Sequence, residues 1–145
     1  MKTFLALALI LTSFHTMAEN SRCSSSFNSM QTSYKTAVSY RKDAEDDISK
    51  IKRHINLFIS DKIDFNPEIF CRHYSNAIRN LRASDKRAKS AMDKADIAYD
   101  YCEVDSNIDY AIDLGEYAEN LIAVNYKTKN EYLKRIKQKV YSCDS

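Results

Sequence analysis

The chain has 145 residues with one Gly, one Pro and no Trp, and 22 Lys or Arg against 20 Asp or Glu, a formal net charge of +2. So few turn-forming residues exclude an all-β fold. The length fits one domain, and the near-neutral balance names no polyanionic partner by bulk charge.

Residues 1–18, "MKTFLALALILTSFHTMA", place a lysine before an apolar run from Phe4 to Leu11 and small residues at Thr16 and Ala18. This order reads as a cleaved secretory signal, and the run is too short to span a bilayer. Residues 19–145 are then a single helical-bundle domain. No Asn-x-Ser/Thr sequon occurs. The expected location is the periplasm or the exterior. There the four cysteines Cys23, Cys71, Cys102 and Cys143 are expected to form two disulfides, and no two of them stand at metal-ligand spacing.

The first mature segment carries Phe27, Met30, Tyr34, Ala37, Ala44, Ile48, Ile51, Ile55 and Phe58 in a 3-4 alternation, broken only where Arg41 takes a core position. That is a heptad seam roughly 55 Å long at 1.5 Å per residue. "SDKIDFNPE" ends it, with Asn66 suited to cap the next helix and Pro67 to open it. The second segment keeps the alternation through Phe70, Tyr74, Ala77, Leu81, Ser84, Ala88, Ala91, Ala95, Ala98 and Cys102. From Ser84 to Ala98 its seam holds only small residues, so a neighbouring helix can approach closely. After "EVDSN", where Asp105 or Ser106 is the expected cap, a third segment runs through Ile108, Ala111, Gly115, Ala118, Ile122, Tyr126, Leu133, Ile136 and Val140. Its two successive four-residue steps look like a stutter, and Thr128 with Glu131 offers the alternative of a separate last helix.

Three such helices with short connections predict an all-α, antiparallel up-down-up bundle. The cysteine pairing follows from that topology. Cys71 and Cys102 lie on one helix about 46 Å apart, far beyond the roughly 7 Å that a disulfide spans. Cys23 and Cys143 fall at opposite ends, as do the members of the pairs Cys23 with Cys71 and Cys102 with Cys143. The remaining choice is Cys23–Cys102 and Cys71–Cys143.

The same topology sorts charge. With 50–89 and 125–143 as the upper half, 16 Lys or Arg face 5 acids; the lower half, 19–49 and 90–124, holds 5 against 14. Arg72, Arg79, Arg82, Lys86 and Lys89 form a basic stripe on the second helix, continued by Asp93, Asp96 and Asp100. Bases in the N-terminal half and acids in the C-terminal half oppose the helix dipole, so local helix energetics do not explain the stripe. Two readings stand: a solvated face, or a recognition or assembly surface. On the third helix Tyr110, Leu114, Tyr117, Leu121 and Val124 form a stripe beside the seam, either packed inward or exposed as a tyrosine-rich patch. The acidic, aromatic lower end, Tyr99, Asp100, Tyr101, Glu103, Asp105, Asp109, Tyr110, Asp113 and Tyr117, is the expected partner-binding region.

Nothing in the chain predicts catalysis. After loss of the leader only His54 and His73 remain, no HExxH spacing occurs, and glycine-rich phosphate loops are absent. A His54–His73 site completed by an acid such as Glu68 is conceivable, but no metal or cofactor is expected. Export and the acidic half argue against nucleic acid. Membrane insertion lacks the apolar length. A protein partner fits best. Alternatives are assembly as a head-to-tail homodimer and capture of an anionic envelope ligand by the basic stripe.

The leader, the helical mature chain and the paired cysteines together resemble the layout of periplasmic immunity proteins that protect bacteria from type VI secretion effectors attacking peptidoglycan. The resemblance implies obstruction of the cleft of a muramidase or amidase and is compatible with a homodimer. It transfers no individual inhibitory residue.

Overall fold

The computed structural model describes the backbone of residues 2–140 and 143, and the side chains of 21–105, 107–138 and 143. Three helical rods run alternately up and down: α1 (Lys2–Ile59), α2 (Pro67–Tyr101), and a third built from α3 (Asp105–Lys127), a π-helical segment (Thr128–Leu133) and α4 (Lys134–Val140). No strand occurs among the described residues. The long α1 meets neither Gly nor Pro before its end, so nothing in its backbone interrupts the hydrogen-bond ladder. The side chains of the leader expected at 1–18 lie outside the described residues.

The α1–α2 turn follows from its residues. Lys62 N–H bonds Leu57 O at 3.0 Å and Asp61 N–H bonds Phe58 O at 3.0 Å, the 6→1 and 5→2 pair of a Schellman motif. Asp61 holds the left-handed position with φ 52°. Glycine takes that conformation without the Cβ penalty. Asp61→Gly is therefore expected to raise stability by about 0.5–1 kcal/mol in urea unfolding, with no change in the helical circular dichroism. Asn66 caps α2 as expected, its Oδ1 accepting from Ile69 N–H at 3.0 Å, with Pro67 at the first helical position. At α3 the expected cap is corrected. Val104 occupies the N-cap with no side-chain hydrogen bond, and Asp105 already belongs to the first turn, where its charge meets the positive end of the helix dipole.

The core follows the second seam closely: Phe70, Ala77, Leu81, Ser84, Ala88, Ala91, Ala95 and Ala98 are all buried. On α1, Met30, Ala37, Ala44, Ile48 and Ile51 are buried, but Phe58 at the end of the seam is exposed. The small α2 residues let that helix pack closely against both others, whereas α1 and α3 stand wider apart. The gap is filled by larger side chains: Met30 with Leu114 below, and Tyr34, Leu121 and Ile122 at mid-height. Both disulfides form as expected, Cys23–Cys102 with Cα atoms 5.0 Å apart and Cys71–Cys143 at 5.4 Å. They point to an oxidising, exported location.

The third rod departs from its expected seam at one point. Asn125 is 0% exposed and Tyr126 is 64% exposed, so the inward position after Ile122 is the asparagine rather than the tyrosine. Seven residues after Asn125 would come Tyr132, yet Leu133 is the buried residue. The π segment accommodates that one extra residue, so Leu133 and Ile136 still reach the upper core. The rod is therefore continuous, and the stutter is taken up as a π turn.

Axial register also alters the charge map. Ser33 faces Ser90 at 3.4 Å, Arg41 reaches Asn125 at 3.0 Å, Asn125 reaches Ser84 at 2.9 Å, and Asp47 reaches His73 at 2.8 Å. The plane that halves the bundle at Asn125 thus passes through Arg41 and Ser84, not through residues 49 and 90. Counted from it, 42–83 and 126–143 hold 14 bases against 8 acids, and 19–40 and 85–124 hold 6 against 11. The net +6 and −5 preserve the polarity at about half the expected size. Asp43, Glu45, Asp46 and Asp47 lie in the upper half, where Asp47 pairs with His73.

Candidate binding surfaces

A polar layer crosses the bundle at its midpoint. Asn125 Nδ2 donates to Ser84 Oγ at 2.9 Å and to Asp85 Oδ1 at 2.8 Å, while its Oδ1 accepts from Arg41 Nη1 at 3.0 Å. The same Arg41 nitrogen donates to Thr128 Oγ1 at 2.9 Å, its Nε pairs with Glu45 at 2.8 Å, and Lys129 pairs with the Asp85 carboxylate. Every buried side-chain polar atom among the described residues has a partner. A fully paired network aligns the helices at one level. The two histidines are likewise occupied separately. His54 Nε2 accepts from Asn66 N–H at 3.1 Å, and His73 Nδ1 lies 2.8 Å from Asp47 Oδ1. Glu68 is exposed, and among the described residues no three His, Cys, Asp or Glu side chains are placed to hold a metal ion.

The expected partner-binding region is dispersed over several faces. Tyr99 borders a shallow groove of about 260 Å³ between α2 and α3, floored by Ala95, Ala111 and Gly115 and edged by Asp96, Glu116 and Glu119. Tyr101 turns to α1, where the Arg22 guanidinium lies 5.2 Å from its ring centre. Tyr110 packs on Phe27 of α1 with ring centres 5.1 Å apart and accepts from Gln31 at 3.4 Å. Tyr117, two turns further along α3, continues the Tyr110 stripe and is 57% exposed. Asp100, Glu103, Asp105, Asp109 and Asp113 are all exposed. The outer α3 stripe resolves into both of its readings: Leu114 is buried, whereas Tyr110, Tyr117 and Val124 remain exposed.

The basic stripe of Arg72, Arg79, Arg82, Lys86 and Lys89 is exposed along α2, with Arg79 donating to its own-helix neighbour Asn76 at 3.0 Å. Long side chains on a single exposed helical face carry charge without enclosing a ligand. At the third rod, burial pushes the Tyr132 phenol above its usual range, and Lys52 of α1 lies 5.0 Å over its ring. That contact belongs to packing between α1 and the π segment.

One surface was not anticipated from sequence. At the α1–α2 tip Phe58, Ile59, Ile63 and Ile69 are all exposed, Ile59 by 72%. They sit on a turn held from several sides by the Schellman pair, the Asn66 cap and the His54–Asn66 bond. Phe65 packs behind them, its ring 5.4 Å from both Phe58 and His54 and 5.7 Å from Phe70. Exposed apolar side chains on a turn held in one shape, here beside the exposed Ser60, Asp61, Lys62 and Asp64, have the properties of a binding anchor. The signal in the sequence was two isoleucines, Ile59 and Ile63, in a turn that otherwise reads as polar.

Among the described residues, no helix is long and apolar enough to cross a membrane. No protein-family model matches the chain, and no curated protein or solved structure matches it either.

Proposed function

We propose that the protein is an exported, non-catalytic protein-binding module of the inhibitor class, a periplasmic immunity protein that blocks a cell-wall hydrolase by seating the α1–α2 tip in its cleft. The observation that carries this reading is the cluster of Phe58, Ile59, Ile63 and Ile69 exposed on a turn fixed by hydrogen bonds and ring packing. Apolar side chains exposed at the end of a rod suit insertion into a cleft, and a turn already in its bound shape loses little entropy on association. The paired disulfides suit a protein that acts outside the reducing cytosol. The acidic groove beside Tyr99 lies toward the opposite end of the rods and supplies a second contact region for a basic partner segment.

The test is inhibition. Added to a panel of muramidases and amidases, the wild-type protein should slow release of soluble peptidoglycan fragments by at least one of them. Ile59→Asp combined with Ile63→Asp should weaken that inhibition at least about thirtyfold, the scale of losing a central apolar anchor, with the unfolding midpoint unchanged. Full inhibition by the double variant would remove the tip from the reading. Inhibition of no member of the panel would remove the inhibitor class.

A second reading, assembly of copies into a homodimer, is favoured by the reversal of charge along the third rod. The two readings use different surfaces and are compatible.

A further inference from the structure

The third rod carries two faces. One enters the core; the other follows a second 3-4 pattern, Tyr110, Asp113, Tyr117, Asn120, Val124 and Lys127, and all six residues are exposed. Every second member of that row, Tyr110, Tyr117 and Val124, is apolar or aromatic, so the outside of the helix presents one such side chain per heptad to a neighbouring helix. Within the bundle this row is met at its edge by α1, where Tyr110 packs on Phe27 and accepts from Gln31.

Charge identifies the partner helix. Residues 105–119 hold 5 acids and no base, and 127–139 hold 6 bases and 1 acid. Two such rods laid parallel would set like charge against like. Laid antiparallel, acid meets base along the whole length, with Tyr117 and Val124 near the centre. We infer that this outer face of the third rod is a self-association surface, which pairs two copies of the chain through an antiparallel, two-fold contact of third rod with third rod. The inference deepens the assembly reading and is independent of the inhibitor reading.

A two-fold contact is self-complementary, so every acid-base pair occurs twice. The centre holds apolar and tyrosine side chains, and charged residues lie toward the ends, the usual division between interface core and rim. A single helix pair buries less than the roughly 800 Å² per partner of a standard stable complex. The dimer is accordingly weak, dependent on concentration and sensitive to salt, since rim charges are screened beyond about 10 Å at 0.1 M ionic strength.

Sedimentation equilibrium of the disulfide-bonded protein tests this. The wild type should dimerise at low salt in the sub-millimolar range and dissociate as sodium chloride is raised. Asp109→Lys with Asp113→Lys should weaken dimerisation at least about tenfold, and so should Lys127→Glu with Arg135→Glu. An equimolar mixture of the two variants should recover a dimer of wild-type affinity, because each supplies the charges the other lost. That recovery also excludes misfolding as the cause of the loss. Tyr117→Arg should abolish association in either background.

A wild type that stays monomeric at low salt overturns the inference. So does a mixture that fails to associate, or a Tyr117→Arg variant that dimerises as the wild type does. The tip variant Ile59→Asp with Ile63→Asp should dimerise normally, and a charge-reversed monomer should retain inhibition, so failure of one proposal is read separately from failure of the other.

Discussion

Replacing Cys23 and Cys102 together by serine is expected to lower the free energy of unfolding by about 4 kcal/mol, a large share of the roughly 5–15 kcal/mol that holds a typical domain together. The bond closes a loop between residues 79 apart in sequence, and the loop-closure entropy withheld from the unfolded chain grows slowly with that length. The native contribution is local. Cys102 is the C-cap of α2, buried beside Ala98, and Cys23 packs in the same cluster with Phe27 and Met30. The bond therefore joins the lower end of α1 to the point where α2 stops. Cys71→Ser with Cys143→Ser removes a loop of similar size, 72 residues, but the structural consequence differs. Cys143 anchors the end of the third rod, where Ile136 of α4 and Leu133 just before it pack on the upper core. In the second double variant, hydrogen exchange should accelerate first in 134–140 while 88–98 stays protected; in the first it should accelerate first at the α2 C-terminus. Urea unfolding of both variants against wild type gives the energies. A loss below about 1 kcal/mol in each would mean that helix packing alone supplies the stability, and that oxidation is not required for the fold.

The pairing of those cysteines was legible because it depends on topology alone: three rods, two short connections, and cysteines near rod ends. The α2 seam was legible for a related reason. Its alanines recur at strict 3-4 spacing, and a face of small residues buries on whichever neighbour approaches it. The third rod was legible except at one inward position, held not by Tyr126 but by Asn125, which hydropathy assigns to the surface. The π turn then adds one residue, so Leu133 and Ile136 fall inward where the sequence placed them. The axial offset between rods was hidden for a different reason. Sequence marks where helices end, but their level relative to each other is set by side-chain pairs such as Arg41 with Asn125 and Asp47 with His73, which only the packed structure reveals. That offset decided the size of the charge poles. The dispersal of Tyr99, Tyr101, Tyr110 and Tyr117 has the same origin, since neighbours along the chain need not share a face once two helices are packed.

Asn125 is where that offset is fixed, and its substitution is the second large effect expected. The α2 seam from Ser84 to Ala98 presents a row of nearly identical small residues, so apolar packing alone distinguishes poorly between one register and another a heptad away. A polar residue in a helical core selects register because only one alignment satisfies its hydrogen bonds. Asn125 uses both amide hydrogens, on Ser84 and Asp85, and its oxygen receives Arg41, so it couples all three rods at one level. Asn125→Ala deletes those bonds and leaves the Arg41 and Asp85 charges less well paired in a half-buried layer, at an expected cost of about 3 kcal/mol. Asn125→Leu restores volume without the bonds and should still cost about 2 kcal/mol, because the charges facing it remain. Replacing Arg41, Ser84, Asp85, Asn125 and Lys129 together by apolar residues should recover most of that stability, since the desolvated charges are removed with their partners and Glu45 is left in solvent. The lost property is then alignment. Refolded from the reduced state, the apolar variant should leave free thiols in peptide mapping, where the wild type yields Cys23–Cys102 and Cys71–Cys143, because a one-heptad slip moves the paired cysteines about 10 Å apart while the other pairings stay at opposite ends. Complete native pairing in that variant would transfer the choice of register to the ends of the rods, to the α1–α2 turn and its Asn66 cap.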